Sequence, residues 1–359
     1  MIILEKRPAP SRIWTFATPV LAVLLTMVVG GVLFAAMGKN PFEVIRTIFF
    51  DPLFSEFAWF YRPQLLIKGA PLVLIAIGLS FGFRAGVWNI GAEGQYIIGA
   101  LCGAGVGLAF YPSESVFILP LMILAGAFGG WAWAMIPGVL RVKFGTNEIL
   151  VSLMLVYVAE QFLSAMSLGM LKNPEGMGFP GSRNLAQYPS ATTWINESLG
   201  LHWGVVFAFI AVIFAYITLS RHIFGFHVRL SGQSPRAARF AGVNPNGLIL
   251  TCMGLSGGLA GLAGLTEVAG PSGQVSIDFN AFYGFTAIIV AFLGRLNPIG
   301  ILFAGGLMAL TYIGGDIAES SLQLPSATIQ MLQGMLLFFL LALDLLTHYR
   351  VRTKREAVA

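Results

Sequence analysis

Apolar residues along this chain run in long unbroken blocks, and the polar residues collect between the blocks. Such blocks predict helices that cross a lipid bilayer, because about 20 apolar residues at ~1.5 Å rise cover its hydrocarbon core. On that rule the spans fall at roughly 13–36, 65–83, 95–110, 116–140, 148–166, 204–220, 248–268, 282–294, 299–313 and 328–346. A transmembrane barrel would show segments of about ten residues with alternating polarity, and these runs are continuous. The expected fold is an all-α polytopic membrane protein, with about ten transmembrane helices in a single domain over residues 1–359. The segments 95–110, 282–294 and 299–313 are short, and short or Gly-interrupted segments in transporters mark broken or re-entrant helices near the pathway.

Composition agrees with lipid as the main solvent. Hydrophobic residues make up 57% and charged residues 10% of the chain, where a soluble domain carries about a quarter charged. The net charge of +5 comes from residues at the ends of apolar runs, so it does not point to nucleic acid. Cys102 and Cys252 lie inside apolar runs and form no disulfide framework or metal spacing. Lys6, Arg7 and Arg12 precede an apolar run of 24 residues, Ile13–Ala36. That run is too long for a signal-peptide core and is expected to be retained as the first span.

The charges also give a direction. With ten spans and both termini cytoplasmic, fifteen of the 21 Lys and Arg fall in inner segments, five in outer segments, and Lys68 inside the second span. Cytoplasmic loops hold the excess of Lys and Arg in membrane proteins. Two outer segments are long. Residues 37–64 carry the aromatic-rich FFDPLFSEFAWFY, which suits a helix lying at the membrane surface. Residues 167–203, rich in Gly, Pro, Asn and Ser, read as an ordered loop.

Three groups of polar residues interrupt the apolar pattern in ways that bear on function. In FGFRAGVWNIGAEGQ (Phe81–Gln95), glycines break the helix while Asn89, Glu93 and Gln95 set polar groups beside apolar runs. Backbone freed from a helix at membrane depth must face protein or a cavity, so this is either a bend lining the pathway or a plain cytoplasmic turn. In FGTNEIL, Thr146 and Asn147 precede a helix with Glu148 in its first turn, an N-terminal cap that also allows a gate or docking role. Four ionisable groups, Lys68, Glu160, Glu267 and Asp344, lie within spans. Charge at that depth is costly and marks a functional candidate. Glu160 is the hardest of the four to attribute to a span end, with structural pairing as the alternative.

The stretch CMGLSGGLAGLAGLTEVAG holds two overlapping GxxxG pairs, Gly254/Gly258 and Gly257/Gly261, which predict close helix packing. It also holds GLSG, the pattern around the serine of an intramembrane protease. His202, His222, His227 and His348 all sit at span ends or in loops, so Ser256 lacks the base such chemistry needs.

The longest basic interruption is Arg221–Asn246, with Arg221, Arg229, Arg236 and Arg239 and no acidic residue. Ser234 as N-cap and Pro235 at the first position predict a short helix over Arg236–Gly242, stopped by Gly242 and Pro245. A helix of two turns does not persist alone in water, so it must pack on something; a basic loop that only enforces topology is the alternative. The sequence contains no Gly-rich, Lys-containing phosphate loop, so any ATP-driven step needs an ATPase on another chain.

Three stretches carry a family resemblance: FRAGVWNIGAEGQ (Phe83–Gln95), TNEILVSLMLVYVA (Thr146–Ala159) and GQSPRAARFAGVNP (Gly232–Pro245). YGFTAIIVAFLGRLNPIG (Tyr283–Gly300) also fits. The chain resembles the membrane subunits of bacterial ABC importers of the branched-chain amino acid and simple-sugar permease superfamily, most of all the nucleoside-type permeases. The resemblance implies a multi-pass permease of the cytoplasmic (inner) membrane that pairs with a second permease subunit, identical or related. It implies ABC ATPase subunits inside, holding ATP and Mg, and a substrate-binding lipoprotein outside. No cofactor and no nucleic acid are expected on this chain, and membrane lipid surrounds it. The loop at about 221–247 falls where such permeases carry the coupling helix, making Pro235, Arg236, Arg239, Phe240 and Gly242 the expected docking residues. Asn89, Glu93, Gln95, Asn147, Glu148 and Glu160 are the expected pathway or gate residues. The implied solute is a purine nucleoside, with a simple sugar or nucleobase as alternatives. A proton-coupled transporter using Glu160 or Glu267 is the rival class.

Overall fold

The computed structural model describes residues 2–7, 11–279 and 282–353. Among them the helices are α1 (Arg12–Ala36), α2 (Pro41–Phe49), α3 (Asp51–Phe54), α4 (Ala58–Arg84), α5 (Ala92–Ala109), α6 (Ile118–Phe144) and α7 (Glu148–Leu168). They continue as α8 (Trp203–Ser220), α9 (Ile223–Gln233), α10 (Pro235–Phe240), α11 (Pro245–Val268), α12 (Tyr283–Leu293), α13 (Pro298–Leu322) and α14 (Ser326–His348). Four short strands accompany them: β1 (Ile2–Lys6), β2 (Trp194–Asn196), β3 (Leu201–His202) and β4 (Tyr349–Thr353).

Eight helices, α1, α4, α6, α7, α8, α11, α13 and α14, are long and apolar enough to cross a membrane. Two of the ten expected spans fall outside that set. Residues 95–110 belong to α5, whose 18 residues include Glu93, Gln95 and five glycines that dilute its hydropathy. Residues 282–294 form only the 11-residue α12, about 16 Å long and too short to cross alone. The expected short span at 299–313 is instead a full helix of 25 residues, because α13 continues through Gly314, Gly315 and Asp316.

The chain forms two compact units, one of residues 1–62 and 310–359, the other of residues 63–309. In the first, α1 packs along α14 and β1 pairs antiparallel with β4, from Ile2 opposite Thr353 to Lys6 opposite Tyr349. Within 37–64 the chain forms the helix α2, started by Pro41 and by the Asn40 side chain accepting from Phe42 N–H at 3.1 Å. It buries Val44, Ile48 and Phe49, while Phe42, Phe54 and Trp59 of the same region remain largely exposed. Gly314 of α13 lies against the backbone of Ile48, which leaves no room for a Cβ there.

The core of the second unit is the trio α5, α6 and α11. The pair Gly257/Gly261 is buried at this seam, facing Gly130 and Gly126 of α6, and Gly261 also meets Gly99 of α5. Small residues at such a seam let backbones close to van der Waals contact. Gly258 of the overlapping pair has its nearest neighbour at 3.7 Å and opens onto a groove instead. The segment expected as an ordered loop, 167–203, is outside helices α7 and α8 over 169–202 and docks on 269–275 through Ser182 N–H to Val275 O (2.8 Å), Leu185 N–H to Gly273 O (2.6 Å) and Thr193 N–H to Ala269 O (2.9 Å). It ends in the β2–β3 pair, after which His202 caps α8 by accepting from Gly204 N–H at 3.1 Å.

Candidate functional site

Between α4 and α5 the backbone leaves the helix, with Gly86 turning the chain at φ +73°. Lipid offers no partners for the freed N–H and C=O groups, and side chains from elsewhere in the unit supply them. Trp88 N–H donates to Glu148 Oε1 (3.3 Å), Ile90 N–H to Ser152 Oγ (3.3 Å), and Gly86 C=O accepts from Arg141 Nη2 (3.2 Å). Asn89 and Gln95, both buried, form a reciprocal amide pair at 2.8 and 3.0 Å. Asn89 also donates to Ser256 Oγ of α11 at 2.9 Å and accepts from Gly91 N–H at 3.1 Å. Both amides are thus engaged in holding the bend. Ser256, the serine of GLSG, has an amide rather than an imidazole as its partner.

Glu93, fully buried in the first turn of α5, reaches the start of α12, where its carboxylate accepts from Gly284 N–H. The backbone N–H groups of Phe285 and Phe282 also bond to it. α12 begins without a side-chain cap of its own, so a carboxylate from another helix meets its unsatisfied N–H groups and favourable dipole end. Glu160 of α7 lies within electrostatic reach of Glu93. The other end of α12 is held by the same segment: Phe83 and Trp88 stack on Phe292 at centroid distances of 5.2 and 5.8 Å. Just beyond it, Arg84 donates to Leu296 C=O at 3.1 and 2.7 Å. Arg295 and Leu296 both have φ near +55°, a conformation that costs about 1–3 kcal/mol per residue and persists only where neighbours enforce it.

At the α6–α7 turn the expected cap divides into two tasks. Asn147 caps α7, accepting from Ile149 and Leu150 N–H at 2.9 and 3.4 Å. Glu148 turns away, forms a partly buried ion pair with Arg141, and holds Trp88. The Thr146 hydroxyl is buried without a hydrogen-bond partner.

The basic segment forms α9 and then α10. Ser234 caps α10 by accepting from Ala237 N–H at 3.3 Å, and Pro235 takes the first position, as expected. The helix runs Pro235–Phe240 rather than to Gly242, because Gly242 adopts φ +78° and Asn244 and Pro245 begin α11. Ala238 is its buried anchor; Arg236 and Arg239 are exposed, and Phe240 is 94% exposed. At the end of α9, Gly232 sits against the Arg84 carbonyl, too close for any side chain, and its Cα is 3.5 Å from the Cβ position of Gly86.

The structure therefore joins groups that the sequence kept apart. Asn89, Glu93, Gln95 and Glu148 meet at one bend, the end of α9 rests on it through Gly232, and Glu160 lies within electrostatic reach of it through Glu93. Asn147 stays a local cap. Sequence reasoning missed Arg84, Arg141, Ser152 and Gly232, whose partners at the bend and at Leu296 lie far away along the chain. A groove of about 780 Å³ between α6 and α11 is lined by residues such as Leu124, Phe128, Trp131, Leu255 and Leu262. It has no ionisable lining group and suits hydrocarbon rather than a polar solute.

Long apolar helices with a buried polar bend, and a short exposed basic helix joined to that bend through α9, define a multi-pass membrane protein of permease type. Residues 62–341 match the family described as branched-chain amino acid transport system / permease component, and the chain belongs to that family. A glucose ABC transporter permease of Haloferax volcanii is 34% identical over 96% of this chain and 92% of its own length. A guanosine ABC transporter permease of Bacillus subtilis is 26% identical, over 91% of this chain and 93% of its own. A nucleoside ABC transporter permease of Lactococcus lactis is also 26% identical, over 90% of this chain and 89% of its own.

Proposed function

We propose that this chain is the transmembrane subunit of an ATP-driven importer, docking through α10 on an ATPase carried by separate subunits. The observation that carries the reading is α10 itself: a helix of six residues presenting Arg236, Arg239 and a bare Phe240, anchored by Ala238 and joined through α9 to the bend. An aromatic ring so exposed at the end of a charged helix fits a partner's pocket, and the arginines fit acidic rims. ATP and Mg bind the partner on this reading, since the sequence has no phosphate-binding loop. Closure of the ATPase pair pushes α10, and α9 passes the displacement to Arg84–Gly86. A cytoplasmic position for both termini is supported by the β1–β4 pairing and by the bias of Lys and Arg toward one set of loops. A second permease subunit and an external binding lipoprotein complete the importer in the inner membrane.

The solute on this reading is a small polar molecule. The stretches shared with nucleoside permeases favour a purine nucleoside, and the relative named for glucose favours a simple sugar. Uptake into vesicles holding the complete importer tests the class. ATP-dependent uptake that survives collapse of the proton gradient is expected. Uptake driven by the gradient without ATP would favour the proton-coupled reading, with Glu160 or Glu267 as carrier.

A further inference from the structure

A second polar cluster lies at the far end of α11 and borders the bend through Tyr96 and Tyr283. Glu267 is 4% exposed, and its Oε2 has no hydrogen-bond partner. Above it, the exposed Ser272 bonds to the same carboxyl group through its side chain, so the buried carboxylate lies one residue below the surface. Lys68 of α4 is within electrostatic reach of Glu267, yet among the described residues the two do not close into a salt bridge. The Lys68 ammonium instead stands over the Tyr283 ring at 5.8 Å, with Tyr96 edge-on to Tyr283 at 5.9 Å. An ammonium at that distance from an aromatic face has a weak partner compared with a carboxylate. Three donors on one side and an unused carboxylate oxygen on the other are a costly arrangement in the membrane, where such residues mark a ligand or pathway.

We infer that Lys68 and Glu267 form a solute-binding site that takes a vicinal diol of a neutral sugar or of a nucleoside's ribose. Adjacent hydroxyls offer both donor and acceptor. One hydroxyl donates a hydrogen bond to Glu267 Oε2, and the other accepts one from Lys68 Nζ. The opposite charges cancel, so a neutral solute enters without a net charge to compensate. A diol also explains how one family serves both solute classes named among the relatives. This inference rests on the importer reading and names the chemistry of its solute.

Saturation-transfer NMR on the purified full-length chain, with millimolar probes, tests it without the ATPase or the binding protein. The probes are glucose, guanosine, 2′-deoxyguanosine, guanine and leucine. Transfer to the sugar-ring protons of glucose or of guanosine is expected, and which of the two responds identifies the source. 2′-Deoxyguanosine, lacking the vicinal pair, is expected to compete at least tenfold more weakly than guanosine in a guanosine-binding chain. Glu267→Gln and Lys68→Met are each expected to cut the signal at least tenfold. No transfer from glucose or guanosine, equal transfer in the variants, equal binding of the deoxy compound in a guanosine-binding chain, or preferential binding of guanine or leucine would each overturn the assignment. The deoxy competition needs no variant, so a misfolded mutant does not rescue the idea. Because no ATPase is involved, failure here is distinct from failure of the importer reading, which shows as loss of ATP-dependent uptake.

Discussion

Glu93 and His202 show how single buried groups set the local structure in opposite ways. Glu93 caps a helix 191 residues away in sequence, and that distance is why its role was illegible: nothing local announces a partner so remote. Ser234, Pro235 and Asn147 were legible because a cap acts on N–H groups two or three residues ahead. Glu93→Gln keeps the shape but loses the charge-assisted bonds to α12. It is expected to lower stability by about 1–3 kcal/mol, read as a fall in melting temperature in detergent, and to alter uptake. His202 is held neutral because burial pushes its pKa down to about 4. The unfolded chain binds this proton near pH 6.5 and the folded chain does not, so the stability from His202 is complete above about 6.5 and declines as pH falls toward 4. His202→Asn keeps the cap and removes the titration. The melting temperature of wild type is therefore expected to drop relative to that of His202→Asn between pH 6.5 and 4.5; parallel curves would contradict this.

At the scale of elements, the apolar pattern located the long helices and the short α12, but it cut α13 short. α13 outlasts its apolar run because Gly314 and Gly315 pack against Ile48 and Ile329, a tertiary contact hydropathy does not register. α12 stops at Leu293, where the loop tied down by Arg84 begins. Of the two GxxxG pairs, spacing alone gave no means of telling that Gly257 and Gly261 are both buried at the seam while Gly258 opens onto a groove. The short helix α10 was legible to within two residues, whereas its seat was not, since Gly232 and Arg84 are far apart in sequence. Gly232→Ala sets a methyl group into the Arg84 carbonyl. It is expected to leave the ATPase bound while lowering solute uptake at least tenfold, because the bend, and α12 clasped at both ends by it, no longer follows α10. Wild-type uptake by this variant would remove Gly232 from the route.

For the whole molecule, membrane class and helical fold were legible because lipid imposes so strong a compositional demand. The polar network was not, because hydrogen bonds between distant spans leave no periodic trace. The proposed function rests on one surface, α10, as the seat of an ATPase carried on a separate chain. The most direct measurement is co-purification of the affinity-tagged chain with its ATPase from membranes, comparing wild type with Arg236→Glu combined with Arg239→Glu. Both positions are exposed and lie outside the long helices, so the double variant is expected to reach the membrane in normal amount and to lose the ATPase. Recovery of the ATPase at wild-type stoichiometry by that variant would contradict the account.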